Sequence, residues 1–244
     1  MTIRTRFGNN FGKFGNTFFN QSQLLGSSGG SAVESDPFFS SVSLLMHMGG
    51  ANGSTIFTDS SSNAFSFSRS GTPVISTSQS KFGGSSGSFP GSGYIFTSDN
   101  SKLSMGTSDF TMEHFVYFNT TPNDAATFGV GYSLNGVVTR FYPTSFNLEA
   151  FGYNTITANY TFNASQWYHI AYTRNSTGVR FFVDGILVKT QLTSPYNYEG
   201  FTTTLGARQG TRLLNGYLDE VRITKGVCRY TSDFPVPTKP FPDS

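Results

Sequence analysis

Cysteine occurs once in this chain, at position 228, so neither an intramolecular disulfide nor a cysteine-built metal site is available to it. Tryptophan also occurs once. Charged residues make up only 12% of the sequence and the net charge is +2, against a usual charged share of roughly 25%. The lysines and arginines are scattered and form no cationic stripe, which argues against nucleic acid as a partner. Ala, Leu, Glu and Lys are sparse, so long helices are not expected. No apolar run approaches the ~20 residues of a membrane-spanning helix, and the opening MTIRTRFGNN has no apolar core of signal-peptide length. Neither a membrane partner nor a cleaved leader is expected.

Aromatic residues fill the space the charges leave. They make up 16% of the chain, with 26 Phe and 12 Tyr, and Ser, Thr, Asn and Gly supply much of the rest. Aromatic and β-branched side chains suit pleated surfaces, while Gly and Asn suit tight turns, so the composition predicts an all-β protein. From Asp36 to about Phe241, short apolar runs recur between Gly, Asn, Asp and Ser clusters, the pattern of an antiparallel sandwich or barrel. VSLLMHM (42–48) reads as a buried strand. In FTMEHFVYFN (110–119), Phe110, Met112, His114, Val116 and Phe118 alternate onto one face.

The strongest local signal is a hairpin. VRFFV and ILVKT flank Asp184-Gly185, a pair that favours a two-residue turn. The register this turn implies sets Val183 against Ile186, Phe182 against Leu187 and Phe181 against Val188. Farther on, NGYLDEVRITKGVCRY (215–230) reads as a last strand with Tyr217, Asp219, Val221 and Ile223 on one face and Leu218, Glu220 and Arg222 on the other. Glu220 and Arg222 are then expected to be an exposed pair of little energetic weight. Four prolines after Phe234 make the tail extended.

Residues 1–35 stand apart. Phe-Gly recurs at Phe7, Phe11 and Phe14, Phe18-Phe19 follows, and GSSGGS (26–31) leads into the strand-rich part. The spacing of four, three and four suits a helix face, but glycine at 8, 12 and 15 costs about 1 kcal/mol each there. The segment is too apolar for an ordinary solvated tail. It reads either as a terminus covering its own domain or, preferably, as an extended docking arm whose rings Phe7, Phe11, Phe14, Phe18 and Phe19 enter pockets on a partner. The Gly/Ser stretch would be its tether to a sandwich spanning 36–244.

WYHIAYTRNSTGVRFFVDGILV, then TTLGAR, then LNGYLDEVRITKGVCRYTSDFPVPTKPFP resembles the laminin-G-like, concanavalin A-like jelly-roll family over roughly residues 37–241. The closing ITKGVCRYTSDF is similar to copies found in tailed-bacteriophage virion proteins. The resemblance implies a jelly roll of two antiparallel sheets that binds glycans or proteins. It also implies a virion location, other virion proteins as partners through the arm, a homo-oligomer, and possible contact with a host glycan. In some members the resemblance implies calcium, with Asp219 and Asp59 as candidate ligands. The alternative is that Asp219 accepts backbone N–H bonds and fixes a loop, and no cofactor is expected.

Catalysis is not expected. Jelly-roll glycanases of this kind carry an E-x-D-x-x-E string or a close variant, and their lyase relatives a Q-x-H triplet; this chain has neither. His169 and His114 read as core imidazoles bonded to a neighbouring strand or loop, while His47, beside a Gly-Gly turn, is left open. Tyr132, Phe141, Tyr142, Tyr153, Tyr196 and Tyr198 could stack on sugars or fill the core and interfaces.

Overall fold

The computed structural model describes residues 35–98, 101–131, 136–150, 155–192, 196–200 and 202–244. The arm and its phenylalanines 7, 11, 14, 18 and 19 lie outside the described residues. The chain from Ser35 onward is almost entirely strand and turn. In chain order it forms β1 (Val42–Met46), β2 (Ser68–Gly71), β3 (Val74–Ser76), β4 (Ser86–Pro90) and β5 (Gly93–Ser98). There follow β6 (Phe110–Phe118), β7 (Ala125–Val130), β8 (Val137–Tyr142), β9 (Ser145–Ala150) and β10 (Ile156–Asn159). The last five are β11 (Trp167–Asn175), β12 (Gly178–Val183), β13 (Ile186–Leu192), β14 (Thr202–Leu205) and β15 (Asn215–Lys225).

These strands make two antiparallel sheets, as expected. One has eight strands in the order β13-β12-β11-β6-β15-β4-β3, with β1 also on β15; the other has seven, in the order β10-β9-β8-β7-β14-β5-β2. Between them lies one large apolar core that includes Leu44, Ile95, Met112, Phe118, Phe141, Phe146, Tyr172, Phe181 and Leu218. The face of β6 read from the alternation is buried as read: Phe110, Met112, His114, Val116 and Phe118 are all at most 4% exposed. A fully buried Phe contributes roughly 1.5–3 kcal/mol, so the aromatic surplus that replaces charge in this chain is the main source of its stability. Phe141, Phe146, Phe162 and Tyr168 pack mostly edge-on, the arrangement ring quadrupoles favour.

The Asp184-Gly185 turn forms where expected, with φ of +49° and +75°. Gly185 is required there, because a Cβ would sit 2.1 Å from the Phe234 carbonyl oxygen. The expected hairpin register holds at Val183 with Ile186 and at Phe182 with Leu187, then fails. A bulge makes Phe181 face Lys189 rather than Val188.

A second bulge has larger consequences. Between Asp219 and Arg222, β15 carries one residue more than β6 opposite it, and Glu220 adopts φ +49°. The extra residue reverses the alternation, so Asp219 and Arg222 share the outer face while Leu218 and Ile223 point into the core. The expected faces of 217–223 are therefore wrong beyond Asp219. Glu220 and Arg222 are not an exposed pair: they are 1% and 5% exposed and bind different partners.

Candidate functional site

A two-sheet sandwich offers two outer faces. Among the described residues the chain's own tail crosses one of them and no such segment crosses the other.

The outer face of the eight-stranded sheet is covered over much of its area by the chain's own tail, with the half-buried rings of Tyr117, Trp167 and Tyr217 grouped on the same face. Beyond β15 the prolines prevent further strand, and the chain crosses the sheet as an extended strap. Phe234 stacks on Tyr230 at 3.5 Å, and its N–H donates to the Gly185 carbonyl. Asp233 accepts the Leu187 N–H on edge strand β13. Phe241 is 4% exposed, in a small apolar cluster with Val42, Leu45 and Phe115, and the Arg222 guanidinium lies 3.7 Å above its ring. The Ser244 carbonyl accepts the Asp36 N–H, so both ends of the described unit meet on this face.

Beneath the strap is a buried ionic network that sequence reasoning did not find. Glu113 Oε1 accepts two bonds from Arg222, at 3.0 and 2.8 Å, and Oε2 accepts the Tyr230 hydroxyl. Arg222 also donates to Asp36, which Arg229 grips with two further bonds. Burial works against charge on Glu113, but the Arg222 guanidinium, with His169 and Arg229, drives its carboxyl far below the usual range. Burial and then the Glu113 charge drive the Tyr230 hydroxyl well up, so it stays a donor. The available signal was one acid, Glu113, set among apolar residues in a strand. Its partners Asp36, Arg222 and Arg229 lie far away in the chain.

His169 is fully buried here, its Nε2 3.2 Å from Glu113 Oε2 but off line for a hydrogen bond. The expected bonded imidazole is thus a contact rather than a bond. His114 faces the core, and its Nε2 has no partner; burial pushes its pKa down to about 3, so the ring is neutral. Asp219 accepts N–H bonds from Lys81, Phe82 and Glu220 and so fixes the 81–82 loop. Asp59 likewise accepts N–H bonds from Leu45, Ser61 and Phe65. Donors fill the oxygens a cation would need, and among the described residues no three His, Cys, Asp or Glu are grouped to hold a metal.

His47 pins the end of the strap. Its Nδ1 lies 2.8 Å from Glu220 Oε1 and its Nε2 2.7 Å from Asp243 Oδ1, beside a cavity of about 190 Å³. The bond to Glu220, opposed by burial and helped by Asp243, raises the imidazole to about 9. A pKa raised on folding stabilises the fold fully below the unfolded value of 6.5, and that stability fades as pH climbs through about 9. Burial also raises Asp219 to about 7 despite its N–H donors, which lowers stability as pH rises from about 4 to 7. Melting temperature is therefore expected to fall from pH 5 to pH 10. His47→Gln should flatten the part above pH 7, worth about 1–2 kcal/mol after solvent screening. An unchanged slope above pH 7 in His47→Gln would contradict the latch.

The outer face of the seven-stranded sheet carries no such strap among the described residues. Register places Tyr94 and Phe96 of β5, Thr202 and Thr204 of β14, Arg140 and Tyr142 of β8, and Asn147 and Glu149 of β9 on it. Tyr94 and Phe96 form a ring pair at 5.7 Å. Arg140 lies 5.4 Å from the Tyr142 ring centroid and donates to Asp124 and Glu149, both at 2.7 Å. Arg212 reaches the other oxygen of Asp124, and Arg208 lies 3.6 Å from Glu149. Burial alone would lower the pKa of Arg140, but its two carboxylate bonds outweigh this and raise it.

This face combines ring platforms, fixed charges and polar side chains, which is the chemistry of ligand recognition. Each of the two carboxylates is engaged by two guanidiniums, so neither has its oxygens aimed freely outward. Of the aromatics singled out in the sequence, Tyr142 is on this face. Phe141 and Tyr198 are core residues, Tyr196 packs at the core's edge, and Tyr132 and Tyr153 lie outside the described residues. Tyr94 and Phe96, passed over in the sequence, are on it. A separate cleft of about 370 Å³, lined by Ser101, Ser104, Glu199 and Lys225 among others, lies at one end of the sandwich.

Among solved structures the fold is similar to domain 4 of AbnA, a GH43 extracellular arabinanase from Geobacillus stearothermophilus, in complex with arabinotriose. The TM-score is 0.61 at 15% identity, over 77% of this chain and 93% of that one. It is also similar to botulinum neurotoxin type C, in a structure describing cell entry through two ganglioside molecules (TM-score 0.58, 13% identity, 78% of this chain and 49% of that one). The receptor-binding domain of the botulinum neurotoxin C/D mosaic serotype gives a TM-score of 0.60 at 10% identity, over 78% and 49%. The chain spans about half the length of these toxin chains. No curated protein sequence matches it. Residues 89–229, more than half of the chain, match the sequence model of one family, and the chain belongs to it: the concanavalin A-like lectin/glucanases superfamily, as a laminin-G-like domain.

Proposed function

We propose that this chain is a non-enzymatic structural and adhesive module of a bacteriophage particle, a capsid decoration or tail-appendage component, that holds glycan on the open face of its seven-stranded sheet. The observation that carries the recognition role is the asymmetry of the two outer faces. One is crossed by the chain's own tail, and the other, with no such cover among the described residues, presents the Tyr94–Phe96 pair, Tyr142 and a lattice of arginines and carboxylates. Rings of this kind stack on the apolar faces of sugars. The same fold serves an arabinanase domain found with arabinotriose and a toxin whose entry depends on gangliosides, which fits this reading.

The particle role rests on the closing wording ITKGVCRYTSDF and on the Phe/Gly arm. In this reading the arm fixes the module, as a symmetric oligomer, to other virion proteins.

Binding and reducing-end release should be measured together on a panel of bacterial surface glycans. Binding without release is expected, weakened about fivefold or more when Tyr94→Ala and Tyr142→Ala remove the ring platforms. Release of reducing ends that is lost in Asp124→Asn or Glu149→Gln would overturn the non-enzymatic reading. A chain lacking residues 1–35 should fold but fail to join its particle, and normal incorporation would end the docking role of the arm.

A further inference from the structure

We propose that the open face of the seven-stranded sheet takes an acidic polysaccharide, and that the Arg208–Arg212 loop reads a carboxylate on its sugars. This deepens the recognition role proposed above and rests on it.

The charges on this face form one ladder, Arg212–Asp124–Arg140–Glu149–Arg208. Three guanidiniums against two carboxylates leave a net charge of +1, in a chain where charge is otherwise scarce. An arginine donates and never accepts, so a face with arginines at both ends of its ladder selects ligands rich in acceptors. The guanidinium fork matches a carboxylate in two parallel bonds, a geometry a neutral hydroxyl cannot return.

The loop is built rather than incidental. Gln209, Gly210 and Arg212 all have φ between +53° and +75°, and Gln209 and Arg212 hold that left-handed backbone without being glycine. Such conformations cluster at binding loops, because the surroundings must over-determine them. Here the surroundings do so: Arg208 and Thr211 exchange backbone bonds, the Arg212 carbonyl accepts the Ala126 N–H, and Gln209 donates to Gly131.

The Arg212 guanidinium, tied to Asp124 through Nη1, is 43% exposed and is the most accessible of the three. The Tyr94 ring lies against Gly210, so the reading loop adjoins the platform on which a sugar ring would stack.

The test is calorimetric binding of the full chain to polygalacturonate and to the same polymer with its carboxyls reduced to alcohols, at low and high salt. The acidic polymer is expected to bind about tenfold or more tightly, with the preference shrinking at high salt. Arg208→Gln and Arg212→Gln together should erase the preference, whereas Tyr94→Ala should weaken both polymers alike. Arg212 is exposed, so its replacement should leave the fold intact, as an unchanged melting temperature would verify. Equal affinity for the two polymers would overturn the carboxylate reading and leave glycan recognition standing. Binding to neither would overturn both, and a preference that survives the double arginine variant would overturn the assignment to this loop.

Discussion

Arg222→Ala is expected to cost about 3–5 kcal/mol of stability, because it takes the guanidinium partner from the buried Glu113 carboxylate. Glu113 would lose both bonds to Oε1, and Asp36 one of its three from arginine. For a chain of this length that corresponds to a fall of roughly 6–20 °C in melting temperature. The comparison with a double replacement is more informative than the single one. A buried pair removed by deleting one partner leaves a bare charge, whereas removing both with apolar residues of similar size is often neutral. Arg222→Met with Glu113→Leu should therefore recover most of the loss, and the coupling can be read from a double-mutant cycle. Thermal melting of the parent, Arg222→Met, Glu113→Leu and the double variant decides it. An Arg222→Ala variant within about 1 kcal/mol of the parent would show that the network carries little of the fold's stability.

Ending the chain after Thr231 is expected to have an effect of similar size by a different route. It removes Phe234, Val236 and Phe241 from the outer face of the eight-stranded sheet and uncovers Leu45 and Phe115. A buried aromatic contributes roughly 1.5–3 kcal/mol, so losing Phe241 together with the partly buried Phe234 and Val236 should cost about 5 kcal/mol. Water would also reach the Glu113–Arg222 pair. Phe241→Ala alone should reproduce about half of the effect. The shortened protein should bind a dye that reports exposed apolar surface and should aggregate on warming, since a large exposed apolar patch is an aggregation liability. A truncated chain that melts within about 3 °C of the parent would mean that the strap is decoration, not closure.

Much of the architecture was legible in the residue order. Low charge and high aromatic content, with Gly and Asn between short apolar runs, pointed to an antiparallel sandwich or barrel, and the family resemblance selected the two-sheet sandwich. Asp184-Gly185 specified its turn because only left-handed backbone closes a two-residue hairpin, and the face of β6 followed from strict alternation. The family could be identified from the order of its strand motifs, because those motifs are local and survive in the sequence as strings.

What the tertiary structure alone decided begins at the bulges. One extra residue between Asp219 and Arg222 reversed the faces of the last strand and turned an expected surface pair into two buried ions with separate partners. No periodicity rule anticipates an inserted residue, because a bulge is stabilised by what lies across the sheet and not by its own sequence. The Glu113–Arg222–Asp36–Arg229 network joins positions up to 193 apart, and the His47–Asp243 contact joins positions 196 apart. Nothing local marks such residues as partners. The same holds for the open face: Tyr94, Tyr142, Arg140 and Arg212 come from separate segments and become one surface only when seven strands align. Alternation along each strand determined which side chains point the same way. Which of the two outer faces the tail crosses was set by where an extended, proline-rich segment found an apolar surface to cover, and that is a property of the assembled sandwich.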